Sequence, residues 1–206
     1  MDSVRGLHFV PNLNALVSAS EDCTIKVWDM QGISENDLEP YVTLRGHIGQ
    51  IMSLCGSDQS SGAQNNTVFS GSINGQIQLW KIPNPRDLKE YGKTEDLDFR
   101  VATWDFVHEQ QPIWDLKTNS AGKLLSVGSD QSVAMWQSPN LDSMYSAHDD
   151  FDALSDPSEF LLGRFRKVGK LGHFLTPTSA CWLNGNSQFA VSYRESIVQL
   201  FDAKTG

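Results

Sequence analysis

Five histidines, three cysteines and a run of aspartates are the residues whose types could carry chemistry in this 206-residue sequence. Three of the histidines keep a set distance from a later polar residue: His47 precedes Asn74 by 27 positions, while His108 precedes Asp130 by 22 and His173 precedes Glu195 by 22. A histidine that meets a carboxylate and a serine is either an activated nucleophile or a buried hydrogen-bond network. The nucleophile reading needs a serine on a sharp strand-to-helix elbow, and no serine here has that context. The recurrence of the spacing therefore assigns His47, His108 and His173 to structure. The stretch His148-Asp149-Asp150-Phe151-Asp152 lacks the glycine turn and distal bidentate glutamate of a calcium loop and reads as a solvated acidic loop. Cys23, Cys55 and Cys181 are odd in number, far apart and lodged in strand-like segments, which gives neither zinc spacing nor a disulfide framework. They read as small buried hydrophobes in a reducing compartment. No glycine-rich phosphate loop is present, so the expectation is a chain with no catalytic residue, no cofactor and no metal.

The elements that must position these side chains come from a repeat. Ser20-Glu21-Asp22-Cys23-Thr24-Ile25-Lys26-Val27-Trp28-Asp29 is matched by residues 72–80, by residues 128–136 and by a worn copy at 195–202. Each copy is a turn residue, an alternation of apolar and polar side chains, and an aromatic. The aromatics Trp28, Trp80, Trp136 and Phe201 are separated by 52, 56 and 65 residues. Self-similarity at that period, carried by short alternating strands, predicts an all-β fold of propeller blades with inserted loops. The blades are expected at about 3–44, 45–106, 107–171 and 172–206. The array amounts to about four blades.

Within each blade an inner strand, a turn and two more strands can be read. Blade one offers 4–9, 15–19 and 24–28; blade two offers 50–55, 67–71 and 76–80 around a polar loop at 57–66. Blade three runs from 112–116 through a turn at 120–122 to 123–127, and blade four from 179–183 through the turn at 184–186 to 188–192. Asp22, Asn74, Asp130 and Glu195 occupy the second turn, where a short polar side chain can bond its own backbone. Outer strands are expected at 40–44, at 100–106, and at either 143–147 or 164–171.

Charge narrows the partners. With 16 basic and 25 acidic side chains the net charge is −9, which repels a phosphate backbone and an anionic membrane surface. Residues 1–9 lack the basic-then-apolar pattern of a signal peptide, and no run approaches the roughly 20 apolar residues of a membrane helix. The expectation is a cytoplasmic protein with protein partners. Trp28, Trp80, Trp136, Trp114 and Trp182 read as core between blades, whereas Trp104, on an outer strand, is expected to be exposed. Linkers 31–40, 84–98 and 138–170, with Tyr41, Tyr91, Trp104 and Tyr145 as aromatic anchors, are the expected partner contacts.

The Gly-His pairs at 46–47 and 172–173, the Trp-Asp at 28–29 and the turn aspartates together resemble the WD-repeat family. The resemblance implies that a histidine, a turn aspartate, a second-strand serine and the final tryptophan are linked by hydrogen bonds that staple each blade. Position by position this gives Ser18, Asp22 and Trp28 in blade one, His47, Ser70, Asn74 and Trp80 in blade two, and His108, Ser126, Asp130 and Trp136 in blade three. Blade four keeps His173 alone, because Glu195, Val191 and Phe201 depart from the pattern.

A narrower likeness covers the whole chain in scattered identities. Residues 19–28, Leu38-Glu39-Pro40-Tyr41 before Arg45-Gly46-His47, Ile77-Gln78-Leu79-Trp80 with Asn84-Pro85, and the degenerate ending 197–202 are similar to the first four blades of striatins. That resemblance implies a non-catalytic scaffold gathering type 2A phosphatase subunits and germinal-centre kinases into a signalling complex. It also implies that these four blades are a partial propeller, and that the remaining blades of a seven-bladed ring are supplied by the rest of a longer chain. Two other readings have their own signatures. A substrate receptor of a ubiquitin ligase would carry arginine-lined rim sites, and the arginines here show no repeat-phased cluster. A propeller hydrolase would carry channel carboxylates, and apart from Asp115 the inner strands offer few.

Overall fold

Alternating apolar and polar side chains separated by turns of two to four residues leave antiparallel hairpins as the way to bury one face of each strand. A computed structural model describes residues 2–31, 39–56, 66–86, 88, 98–139, 156–183 and 186–204, and its strands form four antiparallel sheets. The first holds β1 (Val4–Val10), β2 (Ala15–Ser20), β3 (Thr24–Asp29) and β4 (Val42–Arg45). The second holds β5 (Ile51–Gly56), β6 (Thr67–Ser72), β7 (Ile77–Lys81) and β8 (Arg100–Trp104). The third holds β9 (Ile113–Thr118), β10 (Lys123–Gly128), β11 (Val133–Gln137) and β12 (Leu161–Phe165), and the fourth β13 (Pro177–Leu183), β14 (Gln188–Tyr193) and β15 (Ile197–Asp202).

Every sheet runs in sequence order, and the first strand of each packs beside the first strand of the next: β1 on β5, β5 on β9, β9 on β13. Between successive sheets lie three separate apolar clusters. One joins Val17, Ile25 and Val27 to Leu54, Val68 and Trp80, a second joins Phe69, Leu79 and Trp104 to Leu116, Leu124 and Trp136, and a third joins Leu125 and Met135 to Ala180 and Phe189. Sheets stacked face to face around a shared line of inner strands are propeller blades, so the fold is a partial β-propeller of four blades.

The repeat extends to backbone detail. The turn from second to third strand contains one left-handed residue in every blade: Cys23 (φ 65), Gly75 (φ 75), Gln131 (φ 65) and Ser196 (φ 60). Three of the four are not glycine, and in blades one and three the aspartate that precedes the left-handed residue braces the turn. Asp22 Oδ1 accepts from the backbone N–H of Thr24 at 2.9 Å and Asp130 Oδ1 from that of Ser132 at 3.1 Å. Each inner strand also shows a register shift against its neighbour close to its first residue. A bulge there bends the strand and increases its twist, as a strand crowded around an axis requires.

Several expectations need correction. The outer strand of blade three is Leu161–Phe165, earlier than the expected 164–171, because Asp156 caps a turn at Pro157–Glu159 that delivers the chain to the edge of β11 at once. The expected alternative at 143–147, the polar loop at 57–65, most of linkers 31–40, 84–98 and 138–170, and the residues Tyr91, Tyr145 and His148 lie outside the described residues. Cys23 belongs to a turn rather than a strand, and Cys181 is exposed; Cys55 is buried, and burial pushes its thiol up to about 12.

Candidate functional site

Blade three carries the most complete polar network. Trp136 Nε1–H donates to Ser126 Oγ at 2.8 Å, Ser126 Oγ lies 2.8 Å from His108 Nε2, and His108 Nδ1 lies 2.8 Å from Asp130 Oδ1. A carboxylate only accepts, so Nδ1 carries the proton, Nε2 accepts from the Ser126 hydroxyl, and every bond in the chain has one donor. Burial pushes the Asp130 carboxyl up, but His108, Ser132 and Arg164 outweigh it and hold it below the ordinary carboxylate range. Arg164 was not anticipated as a partner. From β12 its Nη1 donates to Asp130 Oδ2 at 2.7 Å and to Ser132 Oγ at 2.9 Å, and its Nη2 donates to the Val107 carbonyl at 2.7 Å. Its only sequence signal is the basic cluster Arg164, Arg166, Lys167 and Lys170 that follows the acidic linker.

The other blades keep parts of this. In blade two Trp80 Nε1–H donates to Ser70 Oγ at 2.8 Å and His47 Nε2 lies 2.6 Å from the same oxygen. Asn74 does not reach His47: it bonds Ser72, and His47 Nδ1 is buried without a hydrogen-bond partner. Burial accordingly lowers the His47 ring to about 4, the Gln76 side chain pulling the other way. In blade one Trp28 Nε1–H donates to Ser18 Oγ at 3.0 Å, and Asp22 serves its own turn through Thr24.

His173 takes no part in a blade network. It is exposed on a tight turn in which Gly169 N–H donates to the His173 carbonyl and Gly172 stands at φ +80. Val191 offers no hydroxyl at the place of Ser126, so nothing draws the ring inward. Glu195 instead accepts from the backbone N–H of Thr176. Asp115, the candidate channel carboxylate, is already engaged: it takes Lys117 Nζ at 2.8 Å, Ser179 Oγ at 2.5 Å and the Ala180 N–H at 3.2 Å. It ties blade three to blade four.

Among the anticipated contact residues, Trp104 is corrected outright, being 1% exposed. On a lone sheet its position would face solvent, but Phe160 stacks on it at 5.3 Å and 22° and Trp136 meets it at 5.6 Å. Tyr41 is half-buried and its hydroxyl donates to the Pro83 carbonyl at 3.0 Å, so it joins blade one to the segment that follows the third strand of blade two.

Several exposed apolar side chains lie at the connections between blades. In a four-stranded meander, the turns between second and third strands lie on the same rim as the connections from one blade to the next. Ile48, Ile73, Phe106, Leu171 and Phe174 are exposed on that rim, and Trp114 stands at the mouth of the channel beside them with Nε1–H donating to Ser129 Oγ at 2.5 Å. Trp114, Thr176, Pro177, Thr178 and Arg194 line a shallow concavity there. Phe106 (φ 57), Glu109 (φ 52) and Gln110 (φ 61) are all left-handed within one short connection, a conformation that costs roughly 1–3 kcal/mol at each non-glycine residue.

Four sheets in sequence order, three of them with a tryptophan bonded to a second-strand serine and one with the full tryptophan, serine, histidine and aspartate chain, define a class of repeat protein that serves protein interaction. The profile described as "WD domain, G-beta repeat" matches residues 1–29, 38–81 and 101–137. The chain belongs to the WD-repeat family. It is similar to human striatin-3, at 36% identity over 142 residues, which is 66% of this chain and 17% of that protein. Mouse striatin is 30% identical over 164 residues, covering 76% of this chain and 20% of its own length. A striatin homolog of Dictyostelium discoideum is 25% identical over 99% of this chain and 23% of its length. The chain thus spans about a fifth of these relatives. Among solved structures, Sqt1 of Chaetomium thermophilum bound to the N-terminus of the ribosomal protein L10 superposes with a TM-score of 0.66 at 15% identity, over 98% of this chain and 46% of that one.

Proposed function

We propose that this chain is a non-catalytic, striatin-like scaffold of the cytoplasm whose loop rim docks subunits of a type 2A phosphatase and a germinal-centre kinase. The observation that carries the reading is the rim itself. Ile48, Ile73, Phe106, Leu171 and Phe174 present large apolar side chains to solvent from turns anchored by the sheets beneath. Exposed aromatic and aliphatic anchors on rigid supports lose little entropy when a partner covers them. Phe106 is held outward by a left-handed backbone, which a chain under selection for stability alone would replace by glycine or asparagine. Similarity to the striatins supplies the partner class.

The test is affinity capture with the tagged chain from cells, partners being identified by mass spectrometry, beside the double variant Ile48→Asp with Phe106→Asp. Phosphatase subunits and a germinal-centre kinase captured by the parent and lost with the variant are the expected result. Capture of a cullin adaptor in their place, or undiminished capture by the variant, would overturn the reading.

A further inference from the structure

The connections between blades run through residues 46–50, 105–112 and 166–176, and the last is the longest. In the first two the connection delivers a histidine, His47 or His108, onto a serine of the blade that follows. Blade four has Val191 at that serine's place, so its connection is freed from the duty. It folds back on itself instead. Val168 and Phe174 pair antiparallel, the Leu175 N–H donates to the Lys167 carbonyl at 2.7 Å, and the Gly169 N–H donates to that of His173 at 2.8 Å. Residues 166–175 thereby form a short hairpin on the rim, with blade three on one side of its foot and blade four on the other.

The foot of the hairpin is built into the core. Leu175 is buried in the cluster shared by blades three and four, and its Cδ2 stands 2.7 Å from where a Cβ on Gly169 would be, so a side chain at 169 would displace it. The Arg166 guanidinium lies over the Phe174 ring, 5.4 Å from its centre, and Nη2 is 3.4 Å from Glu109 Oε1. The tip is open to solvent. Leu171 is 84% exposed, Val168 53% and Phe174 44%. Lys170 is exposed beside Leu171, and neither it nor Lys167 has an ion-pair partner among the described residues.

Residues 166–176 hold Arg166, Lys167 and Lys170 and no acid, in a chain whose net charge is −9. Glu109 offsets Arg166, which leaves the two lysines to attract. We infer that this hairpin docks an acidic segment of a partner protein, its carboxylates meeting Lys167 and Lys170 and an apolar side chain settling against Leu171 and Phe174. The inference rests on the rim reading above, because Leu171 and Phe174 belong to both, and adds the chemistry of what binds there. Charge selects a narrow partner. Screening confines each charge to a reach of about 8 Å in physiological salt. A peptide laid on the hairpin therefore meets local positive charge, whereas a membrane or a nucleic acid is broad enough to face the acidic remainder of the chain as well. The anchored foot sets the hairpin's backbone before the partner arrives, which lowers the entropy lost on docking.

The experiment is selection of binders to the 206-residue chain from a displayed library of random short peptides, followed by fluorescence anisotropy of the selected peptides. The variants are Lys167→Glu with Lys170→Glu, Lys167→Arg with Lys170→Arg, and Leu171→Ser, with far-UV circular dichroism to verify the fold of each. The selected peptides are expected to be rich in aspartate and glutamate around an aliphatic or aromatic residue. They should bind the charge-reversed pair roughly tenfold or more weakly, Leu171→Ser more weakly, and the arginine pair as the parent, and all should weaken as salt rises. An empty selection, peptides without an acidic excess, affinities indifferent to charge reversal, or a hairpin that binds phosphatidylserine vesicles or a second copy of the chain in place of peptides would each overturn the proposal. Peptides lost with Ile48→Asp plus Phe106→Asp but kept by the hairpin variants would support the rim reading and overturn this one. Peptides that keep their dependence on the hairpin while no phosphatase subunit is captured would overturn the partner class above and support this one.

Discussion

Arg164 Nη1 lies 2.7 Å from Asp130 Oδ2, the carboxylate oxygen that His108 leaves free. One aspartate in the turn between second and third strands thereby holds the histidine that enters the blade and the outer strand that closes it. Its side chain is fully shielded from solvent while that of Arg164 is 29% exposed.

Asp130→Ala is expected to destabilise the chain by about 3–5 kcal/mol, since it leaves the His108 N–H and the Arg164 guanidinium facing an apolar gap. Arg164→Met should cost less, and the two together less than their sum. A double-mutant cycle by urea unfolding would measure the coupling, and strict additivity would contradict the shared carboxylate.

Stability should fall as the solution is acidified through the histidine range. Folding holds His47 at about 4 against an ordinary value of 6.5, so between those values the unfolded chain binds a proton that the folded chain refuses. The contribution is absent above 6.5 and grows to a loss of about 3 kcal/mol near pH 4. Asp130, held low in the fold, adds its own loss only further down, as pH falls through its lowered value. Urea midpoints at pH 7.5, 5.5 and 4.5 would follow the effect, and His47→Gln should flatten it.

Gly128→Ala is expected to disrupt blade three although no left-handed backbone is involved. A Cβ at that position would stand 2.2 Å from His108 Nδ1, which must be displaced from Asp130. The expected cost is about 1–3 kcal/mol, as for other overpacked sites, and loss of the low-field imidazole N–H resonance in NMR would report the displacement directly.

Trp104→Ala should cost about 3–5 kcal/mol by opening a cavity between blades two and three. Tyr41→Phe, which removes one hydrogen bond to Pro83, should cost about 1 kcal/mol. Thermal melts of the two variants would separate a core position from a surface one, and equal melts would mean Trp104 is not the wedge its surroundings indicate.

Much of the blade interior was legible because its signals are local. Alternation in residues 24–28, 76–80 and 132–136 fixes a strand, and a turn acid ahead of it fixes a hairpin. Misreadings fell where a contact distant in sequence decides. Trp104 looks like a surface residue until Phe160 and Trp136 close over it, and His173 looks like a network histidine until Val191 leaves it nothing to bond. Arg164 lies 34 residues from the aspartate it meets, across a linker whose length gives no register.

Sequence alone determined that this chain is a repeat of four alternating sheets with tryptophan, serine and histidine at fixed places, because strand periodicity and turn chemistry act over a few residues. Only the tertiary structure decided which of the described apolar side chains stand exposed at the connections between blades, and that the Asp130 carboxylate joins His108, ahead of β9, to Arg164 of β12. Those properties depend on contacts between residues more than 20 positions apart, within a blade and between blades, that no local pattern encodes.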